Sequence, residues 1–235
     1  FNYIITMDCD GSHSFSEIHK HLDYFLNNNL DIITFSRYKK SSKNNENYFN
    51  SGNYIGYLER SERYNKLAQE IVELFQSIKF IDNEKSILDY GCATGFLLDG
   101  LHNLGLNKTS GYDISEWALS NVDRTKHKII TLAEEQSFDI WFFLDVLEHI
   151  SDEDITSALN KISVKKMVVR IPCSIDGKTF LLPQSKRDKT HINCKTKDGW
   201  IKFLDGLGYE LVFCLNLKQI YDSDGVFCAC FRSKS

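Results

Sequence analysis

The stretch SILDYGCATGFLLDGLHNLGLNKTSGYDI, residues 86–114, decides the fold of this chain. SILDY (86–90) is an apolar run of strand length, and residues 95–104 carry apolar side chains at helical spacing. Between these elements the chain must turn sharply at the carboxyl end of a strand, where a ligand approaches the backbone closely. Gly91 and Gly95 permit both because they lack a Cβ atom. The stretch therefore predicts a strand, a ligand-binding loop and a helix.

A second acidic residue follows at the separation that nucleotide-binding folds use. Asp113 ends the next predicted strand, TSGYDI (109–114), and lies 24 residues after Asp89. A carboxylate at this point can accept hydrogen bonds from ribose hydroxyls. A glycine loop alone is more often a simple turn. The loop, the spacing and the second carboxylate together indicate a nucleotide-like ligand.

Apolar runs and helical repeats alternate along the rest of the chain. Near-continuous apolar strands favour a largely parallel sheet that is covered on both faces. Ser115 is a predicted helix cap, residues 151–154 are typical of a capping box, and the turn DSDG (222–225) predicts that the last two strands form an antiparallel hairpin. The predicted strands are 86–90, 109–114, 128–132, 138–146, 166–171, 211–217 and 226–231, and the predicted helices are 62–79, 95–104, 115–119, 151–162 and 196–207.

Four segments resemble, in order and spacing, the motifs of class I S-adenosylmethionine (SAM)-dependent methyltransferases of the small-molecule branch. The segments are ILDYGCATGFLLDGL, GYDISEWAL, SFDIWFFLDVLEHI and DKTHINCKTKDGWIKFLDGLGYEL. The resemblance implies an α/β fold with a Rossmann-like, seven-stranded, mostly parallel sheet that contains one antiparallel strand. It also implies SAM as the cofactor and a small molecule as the acceptor of the methyl group.

The resemblance further implies which residues hold SAM. Asp89 would face its amino group, directly or through water, Asp113 would bind the ribose, and Ile114 would pack on the adenine. The residues that would line the methionine part are Gly91, Ala93 and Gly95, and the predicted cofactor contacts are completed by Cys92 and Leu144. The acid that meets the adenine amine in the family has no clear counterpart, and either Glu134 or Glu135 substitutes for it. Three aromatic residues, Tyr48, Tyr54 and Tyr57, either close over the cofactor or are ordinary packing tyrosines.

The acceptor side is predicted from the chemistry of methyl transfer. The reaction is an in-line displacement, so the enzyme mainly holds donor and acceptor in a near-attack arrangement. A hydroxyl acceptor also needs a general base. The catalytic candidates at the carboxyl edge of the sheet are Asp145, Glu148, His149 and His191.

Other interpretations of these four residues stay open. Glu148 and His149 can serve only to cap or orient the next helix, and His191 can serve only in a hydrogen bond before a helix. We predict that none of these four residues binds a metal. The alternative is that the four residues bind a divalent metal, as some relatives with a similar Glu-x-x-Glu-His pattern do.

The front of the chain resembles a different family. IITMDCDGSHSFSEIHKHLDYFLNNNLDIITFSRYKK is similar to the middle of a family-2 glycosyltransferase of the polyprenyl-phosphate sugar transferase type. It predicts a β-α-β unit in which Asp8 and Asp10 face the same way and can share a divalent cation on a sugar-nucleotide diphosphate. The first half of that fold would precede Phe1, so we expect a piece of a longer two-domain protein whose front end does not transfer sugar by itself.

The predicted domain boundary follows from these two resemblances. Residues 1–45 are the glycosyltransferase-like fragment and linker, and residues 46–235 are the methyltransferase domain. The polar, Asn- and Ser-rich stretch 39–53 is predicted to be a linker without regular structure. An unpaired β-α-β unit exposes strand edges, so we expect it to pack on the methyltransferase domain or on a second chain in a homodimer.

Composition excludes several classes of function. The formal charge of -4 and the sequence pI of about 6.0, without a dense Lys/Arg block, argue against a nucleic-acid partner. No apolar run approaches the ~18 residues of a transmembrane segment, and no signal peptide is visible. The seven cysteines form no CxxC pair, which predicts reduced thiols in a cytoplasmic protein.

The leading hypothesis is methyl transfer from SAM to a small-molecule acceptor. The glycosyltransferase-like front end makes a sugar or a lipid-linked saccharide the first acceptor to consider. Two alternatives remain open. The chain is a truncated piece of a bifunctional glycosyltransferase–methyltransferase, or it is a non-catalytic SAM-binding module.

Overall fold

Apolar runs of strand length in the sequence become a single β-sheet in the computed structural model of the protein. The structure describes residues 46–49, 54–131, 136–219 and 224–234, which belong to the unit Ser42–Ser235. The predicted N-terminal β-α-β unit, Glu134 and Glu135 lie outside the described residues. The domain boundary at residue 45 stays a prediction.

The described residues form seven strands, seven α-helices and two short 3-10 turns. The strands are β1 (Ile87–Tyr90), β2 (Thr109–Tyr112), β3 (Lys128–Ile129), β4 (Gln136–Leu144), β5 (Ile162–Pro172), β6 (Tyr209–Cys214) and β7 (Val226–Ser233). The helices are α1 (Glu46–Phe49), α2 (Ser61–Ser77), α3 (Phe96–Asn103), α4 (Glu116–Ser120), α5 (Asp152–Lys161), α6 (Pro183–Arg187) and α7 (Lys197–Gly206), and the 3-10 turns are Tyr57–Glu59 and Leu147–His149. No described helix has the length and apolar character that crossing a membrane requires.

The sheet confirms the predicted α/β architecture. Its strand order is β3-β2-β1-β4-β5-β7-β6. Neighbours from β3 to β5 pair in parallel, whereas β7 pairs antiparallel with both β5 and β6 and is therefore the one reversed strand. Asp89 pairs in register with Gly111 on one side and with Phe142 on the other. The carboxyl ends of β1, β2 and β4 consequently meet at one edge.

The two faces of the sheet are both apolar, which explains the continuous apolar run of β4. Trp141 and Phe143 pack in the core on one face, and Ile140 and Phe142 pack in the core on the other. This is the period-2 alternation of a strand that is buried on both sides. Cys228 and Cys230 of β7 share one face and one core, as their spacing predicts.

Side-chain caps fix the start of three helices. The hydroxyl groups of Ser115, Ser151 and Thr196 accept hydrogen bonds from backbone N–H groups three residues later, at the first turns of α4, α5 and α7. The predicted caps at Ser115 and Ser151 are confirmed. Each such cap contributes about 1 kcal/mol to the stability of its helix.

Two expectations about local structure were wrong. The stretch 39–53 is not a linker without structure throughout, because residues 46–49 form α1 and Phe49 is buried against the ring of Trp117. The predicted strand 128–132 contains only two residues in β3, although the Ile130 N–H still bonds the Gly111 carbonyl. Aromatic packing in the first case and the edge position of β3 in the second account for the differences. Helix α6, which begins at Pro183, was not predicted.

Packing of α2 on α3 leads to a test of the fold. A Cβ atom on Gly100 of α3 would lie 2.7 Å from the Ala68 Cβ and 3.3 Å from the Asn65 Cα. We expect Gly100→Ala to lower the free energy of unfolding by about 1–2 kcal/mol in chemical denaturation, because overpacking outweighs the gain in helix propensity. Gly206→Ala is the matched control, since nothing lies within 4 Å of that Cβ. Equal stability of the two variants would contradict the packing argument.

Candidate active site

The loop after β1 is built from left-handed backbone conformations. Gly91, Ala93 and Gly95 have φ angles of 85°, 47° and 80°, and Gly95 leads directly into α3. A Cβ atom on Gly91 would lie 2.4 Å from a methyl group of Val146, so the close approach of the segment after β4 requires glycine here. Ala93 adopts the same region with a side chain, which costs roughly 1–2 kcal/mol. The loop thus places its backbone at the carboxyl edge of the sheet at the cost of strain.

Asp113 holds this loop in place. One carboxylate oxygen accepts a hydrogen bond from the Ala93 N–H at 2.8 Å, and the other accepts one from the Ser115 N–H at 2.8 Å. A carboxylate has about four acceptor positions, so each oxygen can still accept a hydrogen bond from a hydroxyl group. The residue predicted to bind ribose is therefore also the residue that fixes the loop.

Asp89 is a buried acid at the end of β1. Its side chain is 5% exposed. Burial, and then the nearby charge of Asp113, raise the pKa of the Asp89 carboxyl to about 7. A buried carboxylate is stable as an anion only beside a cation or several hydrogen-bond donors. Asp89 is thus prepared for a positively charged ligand group.

The remaining residues predicted to bind the cofactor lie at the same edge but differ in exposure. The Cys92 side chain is buried and its thiol packs toward Gly111. The backbone of Cys92 is therefore the part of this residue that can face a ligand at the loop. Ile114 is 54% exposed directly after Asp113. Leu144 ends β4 and is partly buried against the core.

An aromatic cluster covers the loop. Phe49, Tyr57, Ala93 and Ala118 are its buried members, and the partly buried residues packed against them are Tyr48, Tyr54, Tyr64, Phe96 and Trp117. Phe49 stacks on Trp117 with ring centroids 5.1 Å apart. All three predicted tyrosines thus belong to the cluster that includes Ala93 of the loop, and their closing over the cofactor stays a prediction.

Asp145 is close enough to Glu148 for their charges to interact, but its carboxylate is engaged in an ion pair with Arg170. Its carboxylate accepts hydrogen bonds from Arg170, which is 1% exposed, and its N–H bonds the Arg170 carbonyl at 2.8 Å. The backbone of Asp145 is left-handed, with a φ of 58°, a conformation that aspartate tolerates better than most residues. The structure thus places Asp145 in a buried ion pair, and its predicted catalytic role stays a prediction.

The other three predicted catalytic residues lie together. One ligand atom from each of Glu148, His149 and His191 lies within 4.8 Å of the other two. The imidazole rings are 4.5 Å apart and nearly perpendicular, and His149 Nε2 is 4.0 Å from Glu148 Oε1. Glu148 sits in the 3-10 turn after β4, and its backbone carbonyl accepts the N–H groups of Ile192 and Asn193, both at 2.9 Å. These two bonds hold the loop that carries His191 against the turn.

Two residues that sequence reasoning missed orient His149. Thr190 Oγ1 lies 2.6 Å from an Asp188 carboxylate oxygen and 2.8 Å from His149 Nδ1. Because a carboxylate only accepts, Thr190 donates to Asp188 and accepts from the N–H at His149 Nδ1. His149 Nε2 then carries the lone pair. The Asp-x-Thr spacing, typical of an Asx-type turn, is the signal that could have pointed to this pair.

Burial shifts the protonation of all three clustered groups. Burial, and then the neighbouring Asp145 charge, raise the pKa of the Glu148 carboxyl well above its usual range. Burial, and then the nearby His191, lower the pKa of His149, and burial lowers the pKa of His191. Both imidazoles are therefore neutral near pH 7.

Comparison with known families agrees with this geometry. A family model described as "Methyltransferase domain" matches residues 59–212, a range that includes the loop, Asp113 and the cluster of Glu148, His149 and His191. The chain belongs to this methyltransferase family. A second model, glycosyl transferase family 2, matches residues 2–87. A comparison with curated proteins gives no match.

Solved structures show the same fold at low sequence identity. The magnesium protoporphyrin IX methyltransferase of Synechocystis, solved with bound SAH (S-adenosylhomocysteine), is 14% identical to this chain with a TM-score of 0.54. The match covers 80% of this chain and 92% of the Synechocystis chain. A SAM-dependent methyltransferase from Archaeoglobus fulgidus is 15% identical with a TM-score of 0.54, covering 76% and 99%. The mitomycin 7-O-methyltransferase MmcR is 14% identical with a TM-score of 0.53, covering 77% and 56%.

The family match and the fold together establish the general activity. The chain is a SAM-dependent methyltransferase, and SAM is its cofactor. The resemblance in the N-terminal segment to family-2 glycosyltransferases is likewise confirmed.

The Asp145–Arg170 ion pair leads to a stability test. We expect Arg170→Met to lower the free energy of unfolding by about 3–5 kcal/mol, because it leaves a largely buried carboxylate without its partner. The double variant Asp145→Asn/Arg170→Met removes both charges. It should recover about 1 kcal/mol or more in the same denaturation experiment. A double variant no more stable than Arg170→Met would show that the two side chains are not coupled.

Proposed function

We propose that this enzyme transfers the methyl group of SAM to a hydroxyl group of a small polar molecule. The observation that best supports this is that one edge of the sheet carries two chemically different groups of residues. The loop 91–95 with Asp89 and Asp113 suits a cationic nucleoside, and the cluster of Glu148, His149 and His191 suits a group that loses a proton. A hydroxyl acceptor is such a group, whereas the donor sulfonium needs no acid or base.

On the donor side, each predicted contact has a physical reason. The buried carboxylate of Asp89 would pair with the amino group of SAM, which supplies the positive charge that burial demands. Asp113 would accept hydrogen bonds from the ribose hydroxyls with its remaining lone pairs. Exposed Ile114 would pack on the adenine, and the bare backbone of residues 91–95 would admit the methionine part.

On the acceptor side, the aromatic cluster connects the two groups of residues. Tyr48 is hydrogen-bonded to Tyr54 and to Thr190, the partner of His149. Tyr57, in the same cluster, packs against Phe96 at the start of the helix after the loop. These aromatic residues would exclude water from the space between donor and acceptor, so that water competes only weakly with the acceptor hydroxyl for the methyl group.

A saccharide is the acceptor that we test first. The family-2 glycosyltransferase match over residues 2–87 supports it, because fused domains often act on one substrate. A lipid-linked saccharide is the specific candidate. The six described cysteines, none of which forms a disulfide, agree with the cytoplasmic location that we propose for this reaction.

Cofactor binding tests the donor side of the proposal. We expect Asp113→Ala to weaken SAH binding in calorimetry by about 1.5–3 kcal/mol, roughly 10- to 150-fold, because a charge-assisted bond to the ribose and the anchor of the loop are both lost. Asp123→Ala is the control, because the Asp123 carboxylate lies in a neighbouring turn and its partners among the described residues are Thr125 and Lys126. SAH binding that Asp113→Ala leaves unchanged would remove Asp113 from the cofactor site.

The raised pKa of Asp89 predicts a pH dependence for the same binding. Only the ionised carboxylate attracts the amino group, so SAH affinity should rise as pH increases through the Asp89 pKa of about 7. We expect about a tenfold gain between about pH 6 and about pH 8. Asp89→Asn should bind more weakly and lose this dependence. A pH profile that Asp89→Asn reproduces would assign the titration to another group.

A second candidate function is favoured by the N-terminal match. Asp8 and Asp10 lie in the range that matches glycosyl transferase family 2, so we also infer that the protein handles a nucleotide sugar. Binding of a nucleoside diphosphate with Mn²⁺, lost in Asp8→Asn/Asp10→Asn, would support this function. Binding that the double variant retains would oppose it.

A further inference from the structure

We propose that residues 174–192, which we call the rim segment, bind the surface of an anionic lipid bilayer. Such binding goes beyond methyl transfer, because it needs neither SAM nor an acceptor. Three features of the rim segment support it: its fixed structure beside the candidate site, its exposed apolar side chains and its exposed cations.

The rim segment has a defined structure at the carboxyl edge of the sheet. Ser174 and Phe180 form an isolated β-bridge just after β5. The ring of Phe180 packs against that of His191, with centroids 5.1 Å apart. At the other end of the segment, the Ile192 N–H bonds the Glu148 carbonyl at 2.9 Å. The rim segment therefore borders the acceptor side of the proposed site.

Three large apolar side chains of the rim segment are exposed. Ile175 is 80% exposed, Ile192 is 45% exposed and Leu181 is 37% exposed. Ser174 and Phe180 of the bridge are buried, and the alternation of an extended chain turns the neighbouring Ile175 and Leu181 outward. Single exposed apolar residues are common on protein surfaces. Three in one short segment indicate a surface that binds something apolar.

The exposed charges of the rim segment are mostly positive. Its four cations are exposed, and none lies within 4.0 Å of a carboxylate of the described residues: Lys178, Lys186, Arg187 and Lys189. Of its two acids, Asp188 is bonded to Thr190, and Asp176 accepts backbone N–H groups of its own turn. Four cations and two acids give the segment a formal charge of +2, in a chain whose formal charge is -4. This local reversal of sign favours an anionic partner.

The combination of charge and apolar surface favours a bilayer over other anionic partners. A soluble polyanion attracts the cations but leaves the exposed isoleucine and leucine side chains without a role. Single-stranded nucleic acid stacks its bases on exposed aromatic rings, and Phe180 of the rim segment is buried. At a bilayer, apolar side chains enter the boundary with the acyl chains while Lys and Arg stay at the anionic headgroups. Both features of the rim segment are then used.

Binding to a bilayer would also serve the proposed function, although it does not depend on it. Because the rim segment contacts His191 and Glu148, the bound enzyme would hold these residues at the membrane surface. The saccharide of a lipid-linked acceptor lies at that surface. A rim segment on the bilayer would therefore bring such an acceptor to the site without removing its lipid from the membrane.

The test is flotation of the full chain, without an affinity tag and without SAM, on vesicles of phosphatidylcholine that contain about 30% phosphatidylglycerol. We expect binding that falls with added salt and is much weaker on phosphatidylcholine alone. Lys186→Gln/Arg187→Gln removes two exposed cations and should weaken binding about 25-fold, about fivefold for each charge. Ile175→Ser should weaken binding about tenfold, because its side chain no longer enters the bilayer.

Two matched controls make the same kinds of change on the amino side of the sheet. Lys79→Gln/Lys128→Gln removes two exposed cations, one in the segment before β1 and one at the start of β3. Ile78→Ser removes an isoleucine that is 47% exposed at the end of α2. Both controls should bind the vesicles like the parent chain. All the substituted side chains are exposed, and thermal unfolding verifies that each variant is folded.

The proposal is overturned if the chain does not bind anionic vesicles, if the rim variants bind like the parent, or if the controls weaken binding equally. A soluble polyanion is the partner instead if Ile175→Ser binds vesicles like the parent while Lys186→Gln/Arg187→Gln does not. Binding of a single-stranded RNA with that same pattern would identify the polyanion as nucleic acid. Either result overturns the bilayer as the partner.

SAH calorimetry on the same samples separates this proposal from the proposed function. A chain that binds SAH but no vesicles retains the methyltransferase reaction and loses the membrane-binding surface. A chain that binds vesicles with the expected variant pattern but no SAH retains that surface and loses the donor side of the proposed function.

Discussion

The hydrogen bond from the Ala93 N–H to the Asp113 carboxylate fixes the part of the molecule on which the active site depends. Three of five loop residues have left-handed backbone, which is unfavourable without an anchor. Asp113 follows β2 directly and reaches the loop only because β1 and β2 pair in register, with Asp89 opposite Gly111. The sheet therefore positions the acid, and the acid positions the loop. The aromatic cluster then packs on Ala93 and extends the order to α1.

Sequence periodicity predicts the elements whose burial follows a local pattern. Helix α2 and strands β1, β4 and β7 carry apolar spacing that only one secondary structure satisfies, and the hydroxyl caps of α4 and α5 are local signals too. Helix α1 escaped prediction because it depends on a distant ring, Trp117, rather than on its own composition. Helix α6 has five residues, too few for a period to emerge.

The candidate site likewise contains residues that a local pattern predicts and residues whose role depends on the fold. Loop glycines and Asp113 are visible in the sequence because the backbone conformation restricts the residue type. Asp145, Glu148 and His149 are nearly adjacent in sequence, yet a left-handed residue at position 145 sends its carboxylate to Arg170, while the following 3-10 turn sends Glu148 and His149 to the loop that carries His191. No period in the sequence encodes that divergence, since it depends on the left-handed backbone at Asp145 and on contacts with segments that are distant in sequence. The role of Arg170 was not predicted because its partner, Asp145, is brought next to it only by the fold.

Two buried carboxylates at one edge of the sheet set different requirements. Asp89 belongs to the proposed donor side, where the amino group of SAM would supply a positive charge. Glu148 belongs to the proposed acceptor side, where the atom that receives the methyl group would be a nucleophile and would bring no positive charge. The main-chain bonds from Ile192 and Asn193 to Glu148 do not need its side chain, and an apolar side chain would avoid a desolvation cost of several kcal/mol. Burial raises the pKa of the Glu148 carboxyl and so favours the uncharged acid, while the nearby charge of Arg170 acts in the opposite direction. The cost of burial therefore falls on the protonation state of Glu148 rather than on the fold of the turn.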